Sequence, residues 1–405
     1  MTKTFFKNSF IYTIGTVLTR GIGVILLPIY TRYLSPEEFG IVDLFFILSS
    51  IVALTIALEI FQAVSRFYST TNNSKDKMQY VSTAFWFTFI VNILYVIISI
   101  VNAEYFTTLL LDDIKYLNIF YLATFSIATS GIFNFTSNQL KWQLQPKDSV
   151  VVSVLQTSIV AFTSIYLLVF TDLKIESIFI GQIFGNIIGS ILSIYYARDN
   201  YKMNFDYTKF KEMIHISFPL VFSGVAIFIS LFIDRIFIKE LLGLDELGIY
   251  GLAYKIAAIA SLVMIGFQSS MMPLVYKHYQ EKETPAQISR LFNLFALFAL
   301  FVVMGSILFS KEAVVFMSTE AYYGAAPLIP IIIMAVFFNN MYIFAPGLGI
   351  AKKTKIVMLI SFISAIINIL FNALLIPYFG VIGAAYSTLL SGLFVLIIRI
   401  NRSNK

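Results

Sequence analysis

Residues 34–44 read LSPEEFGIVDL, and residues 242–252 read LGLDELGIYGL. The two stretches lie 208 positions apart (242 less 34), and the same offset aligns residues 8–68 with the second copy without a gap. Each copy has an apolar run on both sides of a turn that contains acidic residues and a glycine. Identical pairs at this offset include Ser9 with Ser217, Glu38 with Glu246, Gly40 with Gly248, and Tyr68 with Tyr276. The pattern predicts an internal duplication of a membrane helical hairpin, which is typical of transporter folds built from two similar halves.

The composition excludes a water-soluble fold. Of the 405 residues, 59% are apolar and only 12% are charged, and the mean hydropathy is +0.85. Soluble domains carry about 25% charged residues. The chain has no cysteine, which excludes disulfides and cysteine metal sites, and its two histidines, His215 and His278, lie on separate connectors. We therefore predict no metal and no cofactor, and we do not read the net charge of +6 as a sign of nucleic-acid binding.

The apolar runs are long enough to cross a bilayer as helices, which takes about 20 residues each. Lys3 and Lys7 precede the first run, which we interpret as an uncleaved first span. Pro377 and Gly380 divide the last long run in two. The sequence thus predicts an all-α integral membrane protein with twelve transmembrane helices, at about 9–31, 40–65, 79–102, 116–140, 149–171, 177–197, 213–238, 247–275, 290–310, 322–350, 356–376 and 379–398.

The distribution of basic residues predicts the orientation, because loops rich in Lys and Arg stay in the cytoplasm. With the N-terminus inside, three basic residues lie within spans, and the outer loops hold only Arg32, Lys115, Lys174, Lys239 and Lys311. The other twenty of the 28 lie on the inner side. Both termini are therefore predicted to be cytoplasmic. Six spans separate the two copies, so we expect two parallel-repeat six-helix bundles, 1–205 and 206–405, around a central cavity.

Ionisable groups at membrane depth are costly, so by default they face a cavity or a partner. Five such groups lie inside the predicted spans: Arg20, Glu59, Asp234, Arg235 and Lys255. Polar residues recur at helical spacing around them in the first, second and eighth spans, including Gln62 and Arg66 beside Glu59. These stripes predict a water-accessible cleft between the two halves.

Each of these positions also has a structural explanation. Arg20 and Glu59 would neutralise each other as an ion pair, and the adjacent Asp234 and Arg235 would form a local pair near the outer membrane surface. Lys255 would reach the headgroups by snorkelling. Arg66, near the cytoplasmic end of its span, would serve as an interfacial anchor. The sequence alone leaves these alternatives open.

Three stretches resemble one known family. Residues 19–40, with TRG at 19–21 and LPIYTRYLSPEEFG at 27–40, resemble the opening of bacterial polysaccharide-unit flippases. These are the O-antigen, Wzx-type branch of the multidrug/oligosaccharidyl-lipid/polysaccharide exporter superfamily. Residues 242–250 are similar to that family's turn between helices seven and eight, and PYFGVIGAA at 377–385 is similar to its last outer turn.

The resemblance implies a flippase, not an enzyme, in the bacterial cytoplasmic (inner) membrane. It would move undecaprenyl-diphosphate-linked oligosaccharide units, of O-antigen or capsule type, by alternating access coupled to H⁺ or Na⁺. Expected partners are this substrate, membrane lipids and other polysaccharide-assembly membrane proteins. The resemblance implies candidate substrate-binding residues for the diphosphate or glycan, Arg20, Gln62, Arg66, Arg235 and Lys255, and candidate ion-coupling carboxylates, Glu59 and Asp234. Arginine forks match phosphate oxygens.

Two other functions stay open. A multidrug or cation antiporter of the same fold would favour acidic groups in its cavity, whereas basic residues slightly outnumber acidic ones in the predicted spans. A membrane-embedded glycan polymerase or ligase would need a large outer loop with catalytic residues, whereas the longest predicted outer connectors have about a dozen residues.

Overall fold

The computed structural model describes residues 2–261, 275, 281, 283–351 and 353–403, and within these ranges the chain forms helices and turns but no strand. The α-helices, numbered along the chain, are α1 Thr2–Tyr33, α2 Pro36–Thr55, α3 Ile60–Thr70, α4 Ser74–Val101, α5 Ala103–Leu111, α6 Leu117–Trp142, α7 Pro146–Phe170, α8 Ile175–Tyr196, α9 Tyr207–Leu242, α10 Leu244–Ala258, α11 Thr284–Met317, α12 Leu328–Asn340, α13 Gly347–Ile350 and α14 Thr354–Ser403.

Nine helices in the described part of the chain are long and apolar enough to cross a membrane. The chain is therefore a multi-pass, all-helical membrane protein, as predicted, while the count of twelve spans stays a prediction. The predicted eighth span, 247–275, is described as α10, and most of its remainder lies outside the described residues. The predicted tenth span, 322–350, is divided into α12, a 3-10 turn at Met341–Phe344, and the short α13.

The predicted second span, 40–65, is not one continuous helix. It ends as α2 at Thr55 and resumes as α3 at Ile60. Leu58 and Glu59 between them have left-handed backbones, with φ of 49° and 52°. Neither residue is a glycine, so the surrounding structure must hold this strained conformation in place.

The last helix, α14, covers the two predicted spans 356–376 and 379–398 and is kinked between them. Gly380 has φ 59° and ψ −142°, a conformation that favours glycine. A Cβ on Gly383 would overlap the carbonyl oxygen of Leu375, which shows how closely the chain approaches itself there. The predicted division at Gly380 is confirmed.

The chain divides into two compact units. The first contains Met1–Tyr33 and Phe45–Val225, and the second contains Leu34–Leu44 and Ala226–Lys405. The short segment Leu34–Leu44, which starts α2, thus belongs to the second unit. The predicted halves 1–205 and 206–405 stay a prediction. The boundary between the two compact units falls inside α9, after Val225.

Close helix packing organises the first unit. Gly181, Gly185 and Gly189 form a small-residue stripe on α8, and a Cβ on Gly185 would overlap the side chain of Val160 on α7. Such stripes let membrane helices approach closely. The hydroxyls of Tyr30 and Ser164, 2.7 Å apart, connect α1 to α7.

The connector between α8 and α9 is bound to the N-terminal half of α4. The Ser82 hydroxyl donates to the Asn200 carbonyl at 2.8 Å and accepts from the Lys202 amide at 2.9 Å. The Trp86 indole donates to the Lys202 carbonyl at 2.9 Å. These bonds fix the connector to α4 within the first unit.

Candidate functional site

The start of α2 is fixed by its own sequence. In the stretch SPEE at 35–38, the Ser35 amide donates to the Glu38 carboxylate at 2.8 Å and the Glu38 amide donates to the Ser35 hydroxyl at 3.2 Å. This reciprocal pair is a capping box, which satisfies two amides at the helix N-terminus.

Two glycines allow α2 to pack against α10 in the second unit. A side chain on Gly40 would overlap the carbonyl oxygen of Leu244, and one on Gly248 would overlap the carbonyl oxygen of Pro36. Main chain therefore lies directly against main chain at this crossing. Three residues further along each helix, Gly251 leaves room for the side chain of Asp43, whose Oδ2 would lie 3.1 Å from a Cβ at that glycine.

Four charged side chains meet beside this crossing, and we call them the ionic cluster: Asp43, Asp234, Arg235 and Lys255. Asp43 accepts from Arg235 Nε at 3.2 Å through Oδ2 and from Lys255 Nζ at 2.8 Å through Oδ1. Arg235 also donates through an NH group to Asp234 Oδ1 at 3.3 Å. Two acids and two bases give the ionic cluster no net charge.

The ionic cluster is closed in by aromatic and hydroxyl groups. The Arg235 guanidinium lies 4.1 Å from the ring centre of Tyr254, and the Tyr250 hydroxyl donates to Asp234. Thr388 Oγ1 lies 3.4 Å from the same carboxylate oxygen. Asp234 and Arg235 are only 2% and 4% exposed. Removing one partner of such a buried pair costs about 3–5 kcal/mol, because it leaves a charge without compensation.

Sequence reasoning found three of these four residues but missed Asp43. It left open whether Asp234 and Arg235 form a local pair and considered Lys255 separately. In the structure, Asp43 bridges Arg235 and Lys255, and Arg235 also pairs with Asp234. One signal was available. At the offset of 208, Asp43 aligns with Gly251, so one copy has an acid where the other has a glycine. This difference lies three residues after the identical pair Gly40 and Gly248.

Glu59 belongs to the first unit. It is 7% exposed and sits at the left-handed break between α2 and α3. The Glu59 Oε1 would lie 3.8 Å from a Cβ on Gly224. A buried carboxylate thus occupies the point where the predicted second span loses its helical hydrogen bonds.

Arg20 and Arg66 are exposed, on α1 and α3 of the first unit. Neither forms an ion pair with the described part of the chain, so Arg20 does not neutralise Glu59 as the structural explanation required. Gln62 is also exposed. Within the described residues, no three His, Cys, Asp or Glu side chains are grouped to hold a metal ion.

Comparison with solved structures shows the same fold. An inward-facing multidrug resistance MATE family transporter of the MOP superfamily superimposes with a TM-score of 0.79 over 97% of this chain and 94% of that one, at 13% identity. The lipid II flippase MurJ in an inward closed conformation superimposes with a TM-score of 0.77 over 97% of this chain and 87% of that one, at 16% identity.

Sequence comparison finds distant relatives, one of them over nearly the whole chain and two over about half of it. Lsg locus putative protein 1 of Haemophilus influenzae is 21% identical over 94% of this chain and 95% of its own length. The capsular polysaccharide biosynthesis protein CapF of Staphylococcus aureus is 26% identical over 51% of this chain and 54% of its own. A putative O-antigen transporter of Shigella flexneri is 19% identical over 54% of each chain.

Two family models match the sequence. The MatE model matches residues 219–374. The model described as polysaccharide biosynthesis protein matches residues 5–279, about two thirds of the chain, and covers most of α1, the ionic cluster and Glu59. The predicted resemblance to polysaccharide flippases is confirmed, and the chain belongs to the polysaccharide biosynthesis protein family.

Proposed function

We propose that the protein is a flippase that moves undecaprenyl-diphosphate-linked oligosaccharide repeat units, of O-antigen or capsule type, from the cytoplasmic to the outer leaflet of the bacterial inner membrane. The family membership and the relatives in capsule and O-antigen synthesis support this substrate class. The fold shared with MATE and MurJ supports alternating access of two six-helix halves.

The observation that carries the proposal is that some basic residues inside the predicted spans are ion-paired and Arg20 is not. Arg235 and Lys255 are engaged by Asp43, whereas Arg20 is exposed in the interior of the candidate span Phe10–Tyr33 and has no ion pair in the described residues. An uncompensated cation at that depth is costly unless an anion meets it. A diphosphate supplies that anion, and a guanidinium binds two of its oxygens at once.

The exposure of Arg20 and Arg66 supports these two arginines as the diphosphate ligands, and the exposed Gln62, one helical turn before Arg66, would serve the glycan. Arg235 and Lys255 instead act through the ionic cluster. Glu59 fits the role of coupling carboxylate better than Asp234, because the Asp234 oxygens are already engaged by Arg235 and Tyr250. H⁺ or Na⁺ would be the coupled ion.

The test is surface glycan display in cells that depend on this protein. Arg20→Ala should abolish the surface glycan at an unchanged protein level, Arg20→Lys should retain part of it, and the exposed Arg198→Ala should display it normally. Normal display in Arg20→Ala would remove Arg20 from the substrate site. In vesicles, Glu59→Gln should make transport independent of the ion gradient, and unchanged gradient dependence would contradict the coupling role.

A drug or cation antiporter is the second candidate, because the MatE model matches residues 219–374. It predicts that the purified protein exports organic cations from vesicles in exchange for H⁺ or Na⁺. The flippase proposal predicts no such export, so one vesicle assay separates the two. The glycan polymerase or ligase alternative has no support from the family, whose solved structural relatives here are transporters and a flippase.

A further inference from the structure

The first unit contains a cavity of about 230 Å³ that the proposed roles of Arg20 and Glu59 do not use. It lies between α2, α6, α7 and α8, and we call it the neutral pocket. Its polar lining includes Ser49, Ser126, Gln156, Gln182 and Asn186, and the ring of Phe46 also faces it. At about 30 Å³ for each water, the space would hold seven or eight waters, far more than an ordinary packing defect.

The neutral pocket lies deep within the helices that form it. Ser126 is the tenth residue of α6, and Asn186 is the twelfth of the 22 residues of α8. Polar side chains at such a depth are costly unless they find partners, since lipid offers none. Several of them pair with each other here: Gln156 Nε2 donates to Asn186 Oδ1 at 3.0 Å, and the Ser126 hydroxyl donates to Gln182 Oε1.

These pairs leave hydrogen-bonding capacity facing the space. The two donors of the Gln182 amide nitrogen and the Ser49 hydroxyl have no partner among the described residues, and both side chains are partly exposed. Amides and hydroxyls both donate and accept. The lining side chains therefore match a ligand with several neutral groups that both donate and accept hydrogen bonds.

The lining also excludes other ligands. No charged side chain lines the neutral pocket among the described residues, so it offers neither a cation for a diphosphate nor a carboxylate for a coupled ion. Phe46, at 45% exposed, offers an apolar ring face beside the amides. Neutral amides with an aromatic face suit a sugar, which has hydroxyls at its edge and C–H groups on its faces.

We propose that the neutral pocket binds one sugar ring of the lipid-linked oligosaccharide and so contributes to the choice of glycan. This inference rests on the proposed flippase function and adds a site in the first unit that is separate from the arginines. Gln182 is the main specificity residue, because its free donors face the space while its oxygen is held by Ser126.

The test uses the full chain in lipid nanodiscs and two probes: undecaprenyl diphosphate, and the undecaprenyl-diphosphate-linked oligosaccharide extracted from cells that carry the gene. The wild type should bind the sugar-bearing probe more tightly. Gln182→Met keeps the side-chain length but removes its polar atoms, and it should reduce that preference about tenfold, as expected for two lost hydrogen bonds. Its affinity for undecaprenyl diphosphate should not change.

Asn118→Met is the matched control, since Asn118 is exposed on α6 and does not line the neutral pocket. It should keep the wild-type preference. Ser49→Ala is the second variant should Gln182→Met fail to fold. An unchanged preference in the folded variants, or an equal loss for both probes, would overturn the sugar site and leave the flippase proposal standing. A wild type that binds neither probe would overturn both.

Discussion

Gly40 and Gly248 occupy the same position in the two copies of the duplicated hairpin, and each lies against the main chain of the other. A Cβ on Gly40 would lie 3.0 Å from the Gly248 nitrogen, and a Cβ on Gly248 would lie 3.0 Å from the Gly40 nitrogen. The contact is reciprocal, as expected where a local twofold axis relates two equivalent elements. It supports the interpretation of the repeated stretches as a duplication.

This contact predicts the effect of Gly248→Ala. The added methyl would overlap the Pro36 carbonyl oxygen, which is rigid main chain, so the helices must separate. Overpacking of this kind costs about 1–3 kcal/mol, and the melting temperature in detergent should fall. Gly305→Ala is the control, because a Cβ there meets nothing within 4 Å. Equal melting temperatures for Gly248→Ala and the wild type would contradict the close approach.

The ionic cluster predicts that Asp43→Asn is strongly destabilising. The change keeps the shape of the side chain but leaves Arg235 and Lys255 without their shared anion, at a cost of about 3–5 kcal/mol. Adding Lys255→Met should restore part of the loss, because one excess charge is then removed. Thermal unfolding of the single and double variants measures this coupling.

The control for that experiment is Asp113→Asn. Asp113 forms an ion pair with Lys115 at 3.2 Å, but the two side chains are 43% and 58% exposed, so water screens the interaction. We expect no measurable change in melting temperature. A loss as large as that of Asp43→Asn would show that burial does not set the size of the effect.

The bound connector predicts the protease sensitivity of Ser82→Ala. The variant loses the acceptor of the Lys202 amide and the donor to the Asn200 carbonyl. If cleavage follows local opening, a loss of about 1 kcal/mol speeds tryptic cleavage at Arg198 and Lys202 about fivefold. Ser69→Ala, which loses only a bond to Ser65 in its own helix, should be cleaved at the wild-type rate. Equal rates for both variants would mean that Ser82 does not hold the connector.

The predicted orientation can be tested directly because the chain has no cysteine. Asp172 lies in the turn between α7 and α8, which is predicted to be outside, and Lys75 lies at the start of α4, which is predicted to be inside. In intact spheroplasts, a membrane-impermeant maleimide should label Asp172→Cys and should label Lys75→Cys only after permeabilisation. The reverse pattern would overturn the assignment of both termini to the cytoplasm.

Hydropathy was sufficient to predict an all-helical membrane protein, and Gly380 was sufficient to predict the kink in the last long apolar run. Hydropathy did not reveal the break between α2 and α3, because Leu58 and Glu59 carry none of the usual signs of a helix end. The left-handed backbone there is imposed by tertiary packing, which local sequence does not encode.

The composition of the site was harder to predict than the fold. Asp43 lies only three residues inside the predicted start of its span, where an acid is ordinarily solvated. Its burial depends on Arg235 on a helix almost 200 residues away, which spacing along the chain cannot reveal. The neutral pocket was missed for a similar reason. Gln156 lies on α7 and Gln182 and Asn186 lie on α8, and a pattern within one helix does not show that these side chains meet.

The reciprocal glycine contact also has a consequence for the origin of the chain. A single-copy ancestor with this surface would self-associate through an isologous interface, in which the same glycine of two subunits meets on the axis. Such a dimer would place two copies of Asp43 side by side in a buried position, where their like charges repel. Gene fusion removes that restriction, because the first copy can have Asp43 while the second has Gly251. The basic partners, Arg235 and Lys255, can then both come from the second copy.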